Sequence, residues 1–226
     1  MGILRSLFGG QKPSQSLSPS MRDTLYADAS LEAWPPKTAG VDVFPWNLFF
    51  MAREHIAAKN AGNAVACWRQ IVASPDAEPR IILQAWHFLR LFGQNPDNEN
   101  AKKVLGVVVE MGMPGGFDLL AAYSDHCARY YNYSKGGIIW EHADNSLDAP
   151  IDNLLQVASF TVQKIGVWNK PRLPAPDNGI MRFSFLTPSG LYFGQGPVGL
   201  LAKDPLGVRV YESATVLMKA LIAKTK

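Results

Sequence analysis

Apolar side chains recur every three or four positions in the first half of this chain and crowd into short β-branched runs in the second, with the change near Lys103. Over residues 46–73, Leu48, Met51, Ala52, His55 and Ile56, then Val65, Cys67, Trp68, Ile71 and Val72, mark two helical turnsets interrupted at Asn60-Ala61-Gly62-Asn63. Ser74-Pro75 ends the pattern, because the residue before proline is driven out of the helical region. A third helix is predicted over 79–92, opened by Pro79 and closed by Gly93. Its apolar residues cover most of its circumference, so it should be largely buried. Residues 21–45 carry Tyr26, Trp34, Pro35, Pro36 and Phe44 and are expected to run extended over the folded part.

From Val104 the pattern is that of strands. Val104 to Met111 is β-branched and short, Gly112-Met113-Pro114-Gly115-Gly116 is a turn, and 119–123 and 127–133 follow as strands. Ser134-Lys135-Gly136-Gly137 should close a hairpin into 138–142, giving four strands in meander order. A helix comes next, with Asp148 as its cap, Pro150 in its first turn and Gly166 past its end. A proline-rich crossing over 171–176 leads to a second hairpin, 180–186 with 191–193, and an amphipathic helix over 208–224 closes the chain. The expected class is α+β: an antiparallel sheet of about six strands, meander plus hairpin, flanked by helices and preceded by a three-helix segment. Its expected organisation is a tether with a short amphipathic start (1–20), an extended segment with a helical subdomain (21–100), and a sheet domain (101–226).

From Lys103 onward this order of elements is similar to profilin-like and longin/roadblock-like folds. That resemblance implies a platform for protein binding. The run Tyr123-Ser124-Asp125-His126-Cys127-Ala128-Arg129-Tyr130-Tyr131-Asn132-Tyr133, continuing through Gly136-Gly137-Ile138-Ile139-Trp140-Glu141, also resembles an uncharacterised bacterial family, as does the stretch from Leu186 to Pro197. This second resemblance brings no activity and implies a bacterial, cytoplasmic protein.

Composition narrows the function classes. Charged residues make up only 18% of the 226, and the net charge of +3 comes from 22 basic and 19 acidic side chains. Nucleic-acid affinity grows with the number of phosphates neutralised, and no Lys/Arg run longer than Lys102-Lys103 exists, so no nucleic-acid partner is expected. No apolar run reaches the roughly 18–20 residues of a membrane-spanning helix. Membrane contact is expected only through residues 1–10, where Ile3, Leu4, Leu7 and Phe8 share one side and Gly2 and Ser6 satisfy a myristoylation pattern. Residues 9–20 are too poor in apolar groups to offset ordering entropy and read as a flexible tether. With no signal-peptide pattern and only Cys67 and Cys127, the expected compartment is the cytoplasm.

Candidate chemistry gathers at the predicted hairpin. Closure at Ser134 to Gly137 sets Tyr133 opposite Ile138, Tyr131 opposite Trp140, Arg129 opposite His142 and Cys127 opposite Asp144, all on one side of the sheet. Arg129, Tyr131, Tyr133 and Trp140 then form a binding surface, aromatic residues and Arg being the side chains that dominate interface energetics. Cys127 and His142 could pair as thiolate and imidazole, with Asp144 orienting the ring. Against this, a nucleophilic cysteine needs an electropositive setting that the start of a strand does not supply. Strand alternation separates His126 from Cys127, and no CxxC, HxxxH or HExxH spacing occurs, so no metal is expected. No cofactor motif is present: neither glycine cluster matches a phosphate-binding loop. His55 and His87 read as structural histidines on apolar helices. The leading expectation is a non-enzymatic protein-binding or scaffold module with a protein partner, using the aromatic sheet face or the N-terminal segment. The alternative is a small cysteine-dependent hydrolase or transferase using Cys127 and His142.

Overall fold

The computed structural model describes residues 19–134 and 136–224. The expected amphipathic start and most of the tether lie outside the described residues. Six antiparallel strands form one sheet in the order β4-β3-β2-β1-β5-β6. They are β1 (Gly106–Met113), β2 (Gly116–Tyr123), β3 (Cys127–Tyr131), β4 (Gly137–Glu141), β5 (Ile180–Thr187) and β6 (Gly190–Pro197). The meander and the second hairpin are therefore present, and the chain is α+β as its pattern predicts.

Helices α1 (Pro19–Tyr26), α2 (Trp46–Ala57), α3 (Ala61–Ala73) and α4 (Pro79–Leu91) precede the sheet. The Asn60 side chain accepts a hydrogen bond from the Asn63 backbone at 3.3 Å and so starts α3 where the helical pattern breaks. Helix α1 corrects two expectations: Pro19 and Ser20 belong to it rather than to a tether, and 21–26 is helical rather than extended. An eight-residue helix is marginal alone in water. It persists here because Leu25 and Tyr26 are buried against the sheet.

The sheet is covered on both faces. Val107, Val109, Leu120, Tyr130, Ile138, Trp140, Phe183 and Phe185 point to one face, where α5 (Asp148–Val162) and, after the single-turn α6 (Val198–Leu201), α7 (Gly207–Ala223) lay down their apolar stripes. Those stripes are Ile151, Leu154, Ala158 and Val162, and Val210, Ala214, Leu217 and Leu221, spaced by three or four as a buried helix face requires. The second face carries Val108, Leu119, Ala121 and Tyr123 and is roofed by α1 and by Leu83 of α4. Helix α4 also closes the separate core of α2 and α3, so it is buried on two sides. Its Gln84 is fully buried and exchanges two hydrogen bonds with the Ala29 backbone, at 3.1 and 3.0 Å.

One polar group sits in the middle of the second face. Glu110 of β1 is fully buried and accepts from Arg22 Nε at 2.5 Å, Arg22 Nη2 at 2.9 Å, Tyr26 Oη at 2.9 Å and Arg182 Nη1 at 3.2 Å. Arg22 and Arg182 also donate to the Leu173 carbonyl, and Arg182 to that of Pro174, which ties the crossing over 173–177 to the sheet. The crossing lies so close that a Cβ on Gly112 would stand 1.9 Å from the Asp177 carbonyl oxygen. Only glycine fits there. Among the described residues, no helix is long and apolar enough to cross a membrane.

Candidate functional site

The hairpin of β3 and β4 closes in a different register from the expected one. Cys127 pairs with Glu141, Ala128 with Trp140, Arg129 with Ile139, Tyr130 with Ile138 and Tyr131 with Gly137. Against the expected pairing this is a slip of three positions, and an odd slip exchanges the faces of the two strands relative to each other. The cause is at the loop. Asn132 keeps the observed pairing, its backbone N–H donating to the Gly136 carbonyl at 2.9 Å, while its Oδ1 accepts from the Gly136 backbone at 2.7 Å and the Ser134 hydroxyl at 2.9 Å and so tightens the loop. Asp118 Oδ1 takes the Tyr133 backbone N–H at 2.8 Å. These local bonds replace ladder bonds that the predicted register needs.

The expected aromatic surface is therefore not assembled. Trp140 is buried in the core with Tyr130 and Ile138, on the face opposite Tyr131. Tyr131 is half-buried and its ring lies over Gly137, where a Cβ would come within 2.8 Å of it. Tyr133 is outside the strand and exposed. Arg129 is buried and spends its donors on the carbonyls of Ala128 (2.9 Å) and Trp140 (2.8 Å) and on the Glu141 carboxylate.

The expected thiol–imidazole pair is not assembled either. Cys127 Sγ is 3.7 Å from Glu141 Oε2 on the second face, while His142 points to the other. Burial, then the carboxylates of Asp125 and Glu141, push the Cys127 thiol up to about 12, the reverse of what a nucleophile needs. Asp144 is occupied as the cap of a 3₁₀ turn, Asn145–Leu147, accepting from the Ser146 backbone at 2.8 Å. That bond, with Lys224 3.8 Å away, holds its carboxyl below the usual range.

Because Asp144 caps this turn, Asp148 is released from the cap role expected of it and becomes the first residue of α5. Its carboxylate meets two histidines. His126 and His142 stand one step beyond the Cys127–Glu141 pair, facing each other with ring centroids 5.1 Å apart. His142 Nε2 is 3.1 Å and His126 Nδ1 is 3.9 Å from Asp148 Oδ1, and His126 Nε2 is 2.9 Å from Asp152 Oδ1. Three metal-ligating side chains are thus brought together where none were expected to meet.

A cleft of about 640 Å³ lies elsewhere on the molecule. It forms where the end of α1, the last turn of α4, the 167–172 segment and the β5–β6 turn converge. Three cations, Arg90, Lys170 and Arg172, line it against one carboxylate, Asp28. Arg172 is already engaged: it pairs with Asp28 at 2.7 Å and with Asp23, and stacks 4.4 Å over the Tyr26 ring. Arg90 is not. Its Nη1 donates to the Pro188 carbonyl at 2.6 Å, and it has no ion pair among the described residues. Burial pulls Arg90 down to about 10, with Asp28 offsetting this only in part. His87 beside it is pulled down to about 4 by burial and by Arg90, so it enters the cleft neutral. Lys170 lies 5.5 Å over the Trp168 ring, and Leu91 and Val167 expose apolar surface at the rim. Sequence reasoning missed this group because its members come from four separate stretches. The one local signal was an arginine in the last turn of a largely buried helix.

Comparison with protein-family models, curated proteins and solved structures finds no match for the chain.

Proposed function

We propose that the protein is a non-enzymatic protein-binding module that takes an acidic segment of a partner into the cleft beside Arg90. The observation that carries this reading is the Arg90 guanidinium, partly buried and paired with a carbonyl but with no carboxylate. A desolvated guanidinium gains most from a charged acceptor, and its planar fork matches a carboxylate with two parallel hydrogen bonds. Lys170 adds a second positive charge, while Trp168, Leu91 and Val167 supply the aromatic and aliphatic surface that accompanies such anchors at interfaces. The volume lies within the range of ordinary ligand sites, and the position between the helical subdomain and the sheet is a common one for them. This reading keeps a protein partner and moves its contact from the expected aromatic face to the cleft.

Titration calorimetry with a capped tetraglutamate peptide tests it. Saturable binding is expected, weakening as salt rises. Arg90→Gln should lower affinity about tenfold to a hundredfold, the value of a hydrogen-bonded charge, and Arg90→Lys should fall between. Absence of binding by the unaltered protein, or an affinity indifferent to Arg90→Gln, would refute the reading.

A further inference from the structure

We infer that His126, His142 and Asp148 form a binding site for a divalent transition-metal ion of the zinc class, with Asp152 orienting His126. The site uses none of the cleft residues and stands apart from the proposed function.

Three strictly local facts build it. The register that pairs Cys127 with Glu141 continues to His126 and His142, one just before β3 and the other just after β4, on the face that packs against α5. Both residues have left-handed backbone conformations, φ +61° for His126 and +52° for His142, in which non-glycine residues are uncommon and which recur at functional sites. Helix α5 then presents Asp148 and Asp152, four residues apart and so on one side of the helix, to the two rings.

The orientation of the atoms separates a metal site from a pair of ordinary histidine–aspartate contacts. Asp152 accepts from His126 Nε2, which turns the Nδ1 edge of the ring toward Asp148. That nitrogen faces Asp148 Oδ1, an acceptor. Asp148 Oδ1 is itself buried and has no hydrogen-bond partner: His142 Nε2 lies 3.1 Å away but out of line for a hydrogen bond. Three potential ligand atoms therefore converge around one buried carboxylate oxygen that has no hydrogen-bond partner, an arrangement that a bound cation satisfies. The three ligand atoms all lie within 4.8 Å of one another. Tetrahedral zinc with bonds of about 2.0–2.1 Å needs its ligands about 3.3 Å apart, which the distances of 3.1 and 3.9 Å bracket.

The surroundings fit the same ion. Two imidazole nitrogens and one carboxylate oxygen suit zinc and its neighbours rather than calcium or magnesium, which take oxygen. Asp148 and Asp152 together balance a divalent charge. The Asp152–His126 contact reproduces the carboxylate–histidine–metal arrangement that fixes a ligand's tautomer. His142 is exposed at the edge, so the fourth position faces water.

The test uses the full chain, stripped with EDTA and dialysed. Cobalt(II) should add in a one-to-one ratio with the visible absorption of a tetrahedral site, zinc should displace it, and zinc should raise the melting temperature. His142→Gln, an exposed substitution that leaves the core intact, should abolish the cobalt spectrum, as should Asp148→Asn. Asp152→Asn should weaken zinc binding about tenfold to a hundredfold, as loss of an outer carboxylate does. His55→Ala and Cys127→Ser should leave uptake unchanged. Failure of the unaltered protein to take up cobalt or zinc, or uptake that survives both His142→Gln and Asp148→Asn, would overturn the assignment.

Discussion

Replacing Glu110 by alanine should be among the most damaging single changes in this protein, and the structure sets the size of the effect. Glu110 is fully buried and receives four hydrogen bonds, two from Arg22, one from Arg182 and one from Tyr26. Both arginine side chains are themselves nearly covered, at 11% and 5% exposure, so neither can recover its hydration in place. The individual bonds do not add, because they share one carboxylate. Removing one member of a buried ion pair costs about 3–5 kcal/mol, mostly as the uncompensated charge left behind, and two stranded guanidiniums place Glu110→Ala near the middle of that range, about 4 kcal/mol. For a chain of this length about 2–4 °C accompany each kcal/mol, so the melting temperature should fall by roughly 8–16 °C. Urea unfolding followed by circular dichroism measures it. A double-mutant cycle with Arg22→Met locates the cause: in the Glu110→Ala background, removing Arg22 should cost little or restore stability, whereas alone it should be strongly destabilising. A Glu110→Ala protein within about 1 kcal/mol of the unaltered one would refute the reasoning, since it would mean that the buried charges are not held by one another.

Two further outcomes follow from the titrating groups. With its thiol pushed up to about 12, Cys127 should be alkylated by iodoacetamide at neutral pH roughly a hundredfold more slowly than free cysteine, the scarcity of thiolate outweighing its greater nucleophilicity. Peptide mass spectrometry after timed quenching reads the rate, and labelling as fast as glutathione would contradict the half-buried, carboxylate-flanked setting. His87 is neutral in the fold with its pKa near 4, so as pH falls below the ordinary histidine value the unfolded chain takes up the proton first. Its contribution is complete above about pH 6.5 and is lost between there and about pH 4, by at most about 3 kcal/mol. The pH dependence of urea unfolding should accordingly be shallower for His87→Gln over that interval, and an unchanged slope would show that the group is not desolvated.

Much of the architecture was legible because it rests on local periodicity. The i, i+3, i+4 stripes of α5 and α7, the proline and glycine that bound α4, and the β-branched run of β1 each report burial through the residues of one segment, so a one-dimensional pattern suffices. Helix α1 was not legible. Its eight residues have no stability of their own, and the Glu110 network that holds them lies 84 and 88 positions away in sequence.

The hairpin shows the dividing line most sharply. That two strands, expected over 127–133 and 138–142, are joined by a glycine-bearing turn follows from residue type alone. Which residue faces which does not, because register depends on where the Asn132 side chain closes the loop and on whether the Tyr133 backbone N–H bonds across the hairpin or to Asp118 of β2. A slip of an odd number of positions leaves every strand propensity intact and exchanges the two faces, so the same letters that predicted a shared aromatic surface instead bury Trp140 and set His126 against His142. The groupings that remain are made by packing: α4 with the distant β5–β6 turn around Arg90, and the two strand ends at His126 and His142 with the first turn of α5 around Asp148. Such proximity is a property of packing, in which distant segments compete to bury the same surface, and no single segment carries a record of the outcome.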